Sequence, residues 1–200
     1  MESRETPTLS AVILAGGRSL RMGRDKAWLP ADGRPLLARQ MALVKELGLG
    51  QIFISGRADV DYSVLGCRVL HDRETGLGPL GGIERALHEC DADLLLVLAV
   101  DLAEMTSAFL RRLATRCDRQ TGAVPKRGGD LEPLAAIYPR RCHALACEAL
   151  ARSRCAARDF AAACLRERAV NAFPVPAADD GCFANWNCLA DLIKQPGAAA

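Results

Sequence analysis

Short aliphatic runs alternate with stretches of helical periodicity along most of the chain. Leu9-Ser-Ala-Val-Ile-Leu14, Gln51-Ile-Phe-Ile-Ser55 and Cys67-Arg-Val-Leu-His71 read as strands. Leu94 to Val100 is apolar throughout, without alternation, between Asp93 and Asp101. That is the pattern of a central parallel strand covered on both faces. From about Pro35, Leu36, Leu37, Gln40, Met41 and Val44 recur at helical spacing and stop near Gly48. Pro79 to Cys90 predicts a second helix, with proline tolerated in its first turn. Thr106 caps a third, Ser107 to Arg116. Ala123-Val124, Gly128-Gly129 and Leu134 to Tyr138 predict a hairpin. An alanine- and arginine-rich helical stretch follows, then a short strand around Val170 to Val175 and a last helical turn.

This order predicts an α/β fold: an open, mostly parallel, doubly wound (Rossmann-like) sheet with helices on both faces and a small antiparallel hairpin addition. Residues 1–8 are polar with a proline and read as a flexible leader, and 195–200 as a flexible tail. Residues 9–194 then form a single domain. In such sheets ligands bind beyond the carboxyl ends of the strands, where the chemically loaded segments fall.

Composition narrows the class. Half of the 200 residues are hydrophobic, which is too much apolar surface for a disordered chain. Twenty-six basic against 24 acidic residues leave a formal +2, far from the cationic excess of a general nucleic-acid binder. The run from Leu94 to Val100 is much shorter than the about 20 residues a membrane span needs. The nine cysteines contain no Cys-x-x-Cys pair for zinc or redox work. Their odd number, and the lack of a signal peptide before Leu9, predict reduced thiols in the cytoplasm.

The first loop carries the strongest chemistry. In Leu14-Ala-Gly-Gly-Arg-Ser-Leu-Arg-Met-Gly-Arg-Asp-Lys26, Gly16 and Gly17 let backbone N–H groups approach an anion closely. Arg18, Arg21, Arg24 and Lys26 add cations beside a strand end, so a polyphosphate would satisfy both. It is not a Walker loop, because Gly-x-x-x-x-Gly-Lys-Ser/Thr is absent. Gly76-Leu-Gly-Pro-Leu-Gly81 matches Gly-x-Gly-x-x-Gly, yet it is separated from its strand and Pro79 removes a donor. A flexible loop and helix start that close over a nucleotide suit it better. Asp72 and Asp101 each follow an aliphatic strand, so both carboxylates are expected at the crevice. Asp101 is the better metal ligand, because Mg²⁺ takes one or two carboxylates plus phosphate oxygens and water. His71, His88 and His143 are scattered and read as structural or surface residues.

The Leu14–Lys26 loop resembles the signature of the MobA-type molybdenum cofactor guanylyltransferases, a nucleotidyltransferase family. The resemblance continues in order through Gly78-Pro-Leu-Gly-Gly82, Val97-Leu-Ala-Val-Asp101, Glu132-Pro-Leu-Ala-Ala-Ile-Tyr138 and Phe183-Ala-Asn-Trp-Asn187. The chain departs from the pattern where Leu-Ala-Glu follows Asp101, where Cys188-Leu189 follows Asn187, and where Ser55 replaces an asparagine.

The resemblance implies transfer of GMP from GTP to the terminal phosphate of molybdopterin, with Mg²⁺ as cofactor. It implies a nucleotide-binding half over 9–105 and an acceptor-binding half over 106–194. Leu14, Ala15, Gly16, Gly17, Lys26, Ser55, Asp72, Gly78, Pro79, Leu80 and Asp101 would bind nucleotide, with Asp101 also the metal ligand. Lys26, Arg21 and Asp101 would be catalytic, the two cations neutralising phosphate charge as pyrophosphate leaves. Glu132, Asn185 and Asn187 would line the acceptor side. Expected partners are the two small-molecule substrates, other molybdenum-cofactor proteins and apo-molybdoenzymes, with neither nucleic acid nor membrane. Two alternatives stay open: a cytidylyltransferase or other NTP-dependent nucleotidyltransferase, and a module that binds nucleotide or cofactor without turnover.

Overall fold

The computed structural model describes residues 6–16, 26–31, 33–72 and 76–186. Its first strand is β1 (Leu9–Leu14), and a small antiparallel pair follows, β2 (Pro30–Ala31) and β3 (Arg34–Pro35). Helix α1 (Leu36–Lys45) leads to β4 (Ile52–Ser55) and β5 (Arg68–Leu70). Then come α2 (Gly78–Glu89), β6 (Leu94–Ala99) and α3 (Ser107–Ala114). The second half holds β7 (Gly122–Arg127), β8 (Asp130–Leu131), β9 (Ala135–Pro139), α4 (His143–Ala151), α5 (Ala157–Arg166) and β10 (Val170–Pro174).

These strands form an eight-stranded sheet in the order β10-β7-β9-β6-β1-β4-β5, with β8 paired to β7. β1 runs parallel to both β4 and β6, β5 parallel to β4, and β10 parallel to β7. β9 is antiparallel to both its neighbours, β6 and β7. The expected hairpin therefore exists, but its second arm is woven into the sheet against β6.

Alternation along the strands sends neighbouring side chains to opposite faces. Ala11, Ile13, Leu94, Leu96 and Leu98 pack with α1 and α3, including Met41, Val44, Phe109 and Leu113. Val12, Leu95 and Val97 pack on the other face with Leu80, Ile83 and Leu87 of α2 and Phe160 of α5. β6 is buried along its whole length, as its unbroken apolar run requires. Helices therefore cover both faces.

Caps set the helix limits. Thr106 accepts a hydrogen bond from the Phe109 N–H at 3.2 Å, and Gly48, at φ +69°, turns the chain after α1. The alanine- and arginine-rich stretch is two helices, broken where Ser153 takes φ +55°. Among the described residues no helix is long and apolar enough to cross a membrane, and no disulfide joins the described cysteines.

Candidate active site

The carboxyl ends of β1, β4, β5 and β6 lie along one edge of the sheet, because these strands run parallel. The site is built there. Ala15 N–H donates to the Ser55 carbonyl at 2.8 Å, and Val100 N–H donates to the Leu14 carbonyl at 3.1 Å. The first loop is thus tied to the ends of both neighbouring strands.

Two of the candidate side chains meet across this edge. Lys26 Nζ lies 3.4 Å from Asp101 Oδ2, and both side chains are about three-quarters covered. They come from segments 75 residues apart. Asp101 is positioned by the turn after β6, which α1 braces from beneath: the buried Gln40 side chain donates to the Leu102 carbonyl at 2.6 Å. Trp28, on the same 3-10 turn as Lys26, stacks on Tyr62 with ring centroids 6.2 Å apart. Thr106 takes the cap of α3, so Asp101 is not used there.

Helix α2 closes the crevice on the β4–β5 side. It starts with Gly78 at φ +60° and Pro79, and among the described residues no side chain caps its first turn. Its amides are therefore available to an anion. Gly81 and Gly82 let the helix lie directly on the sheet edge. A Cβ on Gly81 would be 3.0 Å from Asp72 Oδ2, and one on Gly82 would be 2.9 Å from Ser55 Cβ. Gly78 and Pro79 are exposed, whereas the Leu80 side chain is buried in the core, leaving only its backbone for a ligand. Ser55 is buried too, its hydroxyl against Gly82.

Asp72 is exposed as a residue, but its carboxyl end is tucked under α2. Burial, reinforced by the nearby Glu84 charge, holds this carboxyl above its ordinary value, while His71 opposes the shift.

The late segments arrive at the same edge. Because β9 runs against β6, its start lies beside the end of β6, and Ala99 N–H donates to the Leu134 carbonyl at 2.8 Å. Glu132 therefore sits in the loop that leads to this edge, where Arg127 Nε donates to its carboxylate at 3.1 Å. The Arg127 guanidinium also lies 5.6 Å from the Phe183 ring centre. Trp186 N–H donates to the Asp101 carbonyl at 2.9 Å, which brings the exposed Asn185 next to the β6 end. Arg127 went unnoticed in the sequence. Its spacing from Glu132 across Gly128-Gly129 was the available signal. Gly17, Arg21 and Asn187, with Arg18, Arg24 and Asp25, lie outside the described residues.

Residues 11–171 match the MobA-like NTP transferase domain. The chain belongs to that family. A probable molybdenum cofactor guanylyltransferase of Opitutus terrae is 36% identical over 196 residues, covering 96% of this chain and 97% of that protein. A molybdenum cofactor guanylyltransferase of Xanthomonas euvesicatoria is 40% identical over 105 residues, covering 52% of each chain. The molybdopterin-guanine dinucleotide biosynthesis protein A of Archaeoglobus fulgidus superposes with a TM-score of 0.72 at 21% identity, covering 92% of this chain and 95% of that one. This MobA-like chain therefore shares the family's sheet as well as its sequence blocks.

Proposed function

We propose that the protein transfers GMP from GTP to the terminal phosphate of molybdopterin, forming a guanine dinucleotide and releasing pyrophosphate. The observation that carries this reading is the meeting of Lys26 and Asp101 at 3.4 Å beside the first loop. The names of relatives similar over nearly the whole chain support the base and the acceptor.

Phosphoryl transfer of this kind needs positioning and charge neutralisation rather than a protein nucleophile. The Gly16 backbone and the uncapped start of α2 would cradle the triphosphate. Lys26 would turn from Asp101 onto phosphate oxygens. An oxygen of the acceptor phosphate then bonds to the α-phosphorus, and the bond to the α/β bridging oxygen breaks. Pyrophosphate leaves with that electron pair.

Asp101 fits Mg²⁺: it is a hard carboxylate, partly open to the crevice, already drawing a cation to Oδ2. When bound, the ion would neutralise phosphate charge. Asp72, Ser55, Gly78, Pro79 and Leu80 would border the nucleoside side, and Glu132 and Asn185 the acceptor side. Residues 9–105 would then form the nucleotide half and 106–194 the acceptor half. Arg21, Gly17 and Asn187 complete the proposal from sequence alone. The reading carries the cytoplasm as its compartment. Other molybdenum-cofactor proteins and apo-molybdoenzymes are the partners that would receive the product.

Pyrophosphate release from GTP and molybdopterin tests the reaction, and thermal shifts with GTP, CTP, ATP and UTP test the base. Asp101→Asn should lower turnover about a thousandfold, the loss of one preorganised charge contact, while GTP still binds. Lys26→Ala should weaken binding and turnover together. Near-normal turnover of Asp101→Asn at saturating Mg²⁺ would sink the metal assignment. Nucleotide binding without pyrophosphate release in the wild type would make the protein a binding module.

A further inference from the structure

A second cluster of ligand atoms sits between α2 and α4, outside the residues of the proposed reaction. Glu84 Oε1, on the face of α2 turned to α4, lies 2.9 Å from His143 Nε2 and 3.7 Å from Cys147 Sγ. Cys147 Sγ is in turn 3.4 Å from the same Nε2. His143 and Cys147 are four residues apart on α4 and so share one face. Glu84 is 6% exposed, His143 partly covered and Cys147 exposed.

We propose that Glu84, His143 and Cys147 form a binding site for a zinc-class divalent cation, with its fourth position open to solvent. A hydrogen bond joins His143 to Glu84 in this geometry, and a cation would take the place of its proton among three ligand atoms that all lie within 4.8 Å of one another. The spacing suits a cation. With metal–sulfur bonds of about 2.3 Å and metal–nitrogen or –oxygen bonds of about 2.0–2.1 Å, tetrahedral ligands stand about 3.3–3.6 Å apart. The two sulfur separations, 3.4 and 3.7 Å, match that range, whereas the 2.9 Å contact between His143 and Glu84 is a hydrogen bond that would open by a few tenths of an ångström as the cation enters.

The obvious competitor is a thiol activated by a Cys-His-Glu relay, which uses the two ring nitrogens in opposite directions. Here one nitrogen, Nε2, faces both partners, and Nδ1 is farther from the sulfur, at 4.0 Å. Thiolate and imidazole select borderline-soft ions, whereas Asp101 offers oxygen alone, so the two sites would take different metals.

The outward side is accessible. A cleft of about 340 Å³ lined by His88, Arg140, Arg141, His143 and Ala144 opens beside His143. The His88 ring centre stands 5.3 Å from that of His143. Binding would displace the Cys147 thiol proton to solvent. It would also clip α4 to α2, the helix whose first turn borders the crevice.

Metal-free full-length protein titrated with Co²⁺ alone tests the site. One equivalent should develop the near-ultraviolet sulfur-to-cobalt band and strong visible bands of a tetrahedral thiolate complex, and Zn²⁺ should abolish both. Cys147→Ser should lose the near-ultraviolet band and His143→Ala should weaken binding at least tenfold. Cys147 is exposed and His143 partly exposed, and circular dichroism verifies that both variants fold. Zn²⁺ at about a hundredfold excess over Kd should raise the wild-type Tm by about 5–10 °C, but not that of Cys147→Ser. No sulfur-to-cobalt band, or an equal band in Cys147→Ser, overturns the proposal. Unusually fast alkylation of Cys147 without any band would replace it with the activated thiol.

Discussion

Substituting Gly82 by alanine tests whether α2 rests on the sheet edge as closely as described. In an open helix interior the change stabilises by about 1 kcal/mol, since glycine is the poorer helix former. Here the new methyl would meet Ser55 Oγ, lie 2.9 Å from Ser55 Cβ and 3.1 Å from Leu14 Cδ2. The hydroxyl can rotate away, but Ser55 Cβ is fixed by β4. Overpacking of this kind costs about 1–3 kcal/mol. The net expectation is destabilisation by about 1 kcal/mol, a Tm lower by about 2–4 °C for a chain of this size. In a Ser55→Gly background both Ser55 atoms are gone and only the movable end of Leu14 remains, at 3.1 Å, so Gly82→Ala should become neutral or stabilising. Urea denaturation of the four proteins gives the coupling, expected at about 1–2 kcal/mol. A stabilising single substitution, or an additive cycle, would refute the close approach of α2 to β1 and β4.

Two further predictions concern stability. Thr106→Ala removes the acceptor for Phe109 N–H at the start of α3 and should cost about 1 kcal/mol, with most of it recovered by Thr106→Ser, as read by thermal melts. Asp72 has a raised folded-state value, so the folded protein holds this proton more tightly and stability falls as pH rises from 3.8 through that raised value. Asp72→Asn should therefore be the more stable protein at neutral pH, with the difference vanishing below 3.8. Urea melts at both ends of that range decide it, and no gain at neutral pH would count against burial of the carboxyl under α2.

The elements whose reasons are local were legible in the sequence. The apolar run of β6, the helical spacing of α1 before Gly48 and the Thr106 cap each carry their signal within a few residues. What the sequence concealed depends on distant partners or weak breakers. No glycine or proline marks the break between α4 and α5, where Arg152 and Ser153 end a helix that alanine would otherwise continue. The hairpin pairing Ala123 with Ile137 could be read, but nothing near β9 announces that its other edge bonds to β6. The small β2–β3 pair escaped because its strands are two residues each.

The site shows the same division more sharply. Asp72 and Asp101 look alike in the sequence, each a carboxylate just past an aliphatic strand. The structure gives them opposite surroundings. Asp101 faces the Lys26 ammonium, in a partly open crevice where a hard cation and phosphate oxygens can replace it. Asp72 is pressed against Gly81 and feels the like charge of Glu84. What separates them physically lies on other segments, so strand-end position nominates both carboxylates, and it is the resemblance that assigns Asp101 to the metal and Asp72 to the nucleotide. The division follows from charge: a group set against an ammonium suits a cation that bridges to phosphate, whereas a desolvated carboxyl beside another carboxylate disfavours its own ionised form. A hydrogen-bond donor on a nucleoside would relieve that cost by favouring the ionised form when bound. The surroundings, rather than the strand ends, are what favour Asp101 as the metal candidate and Asp72 for the nucleoside side in the proposed reaction.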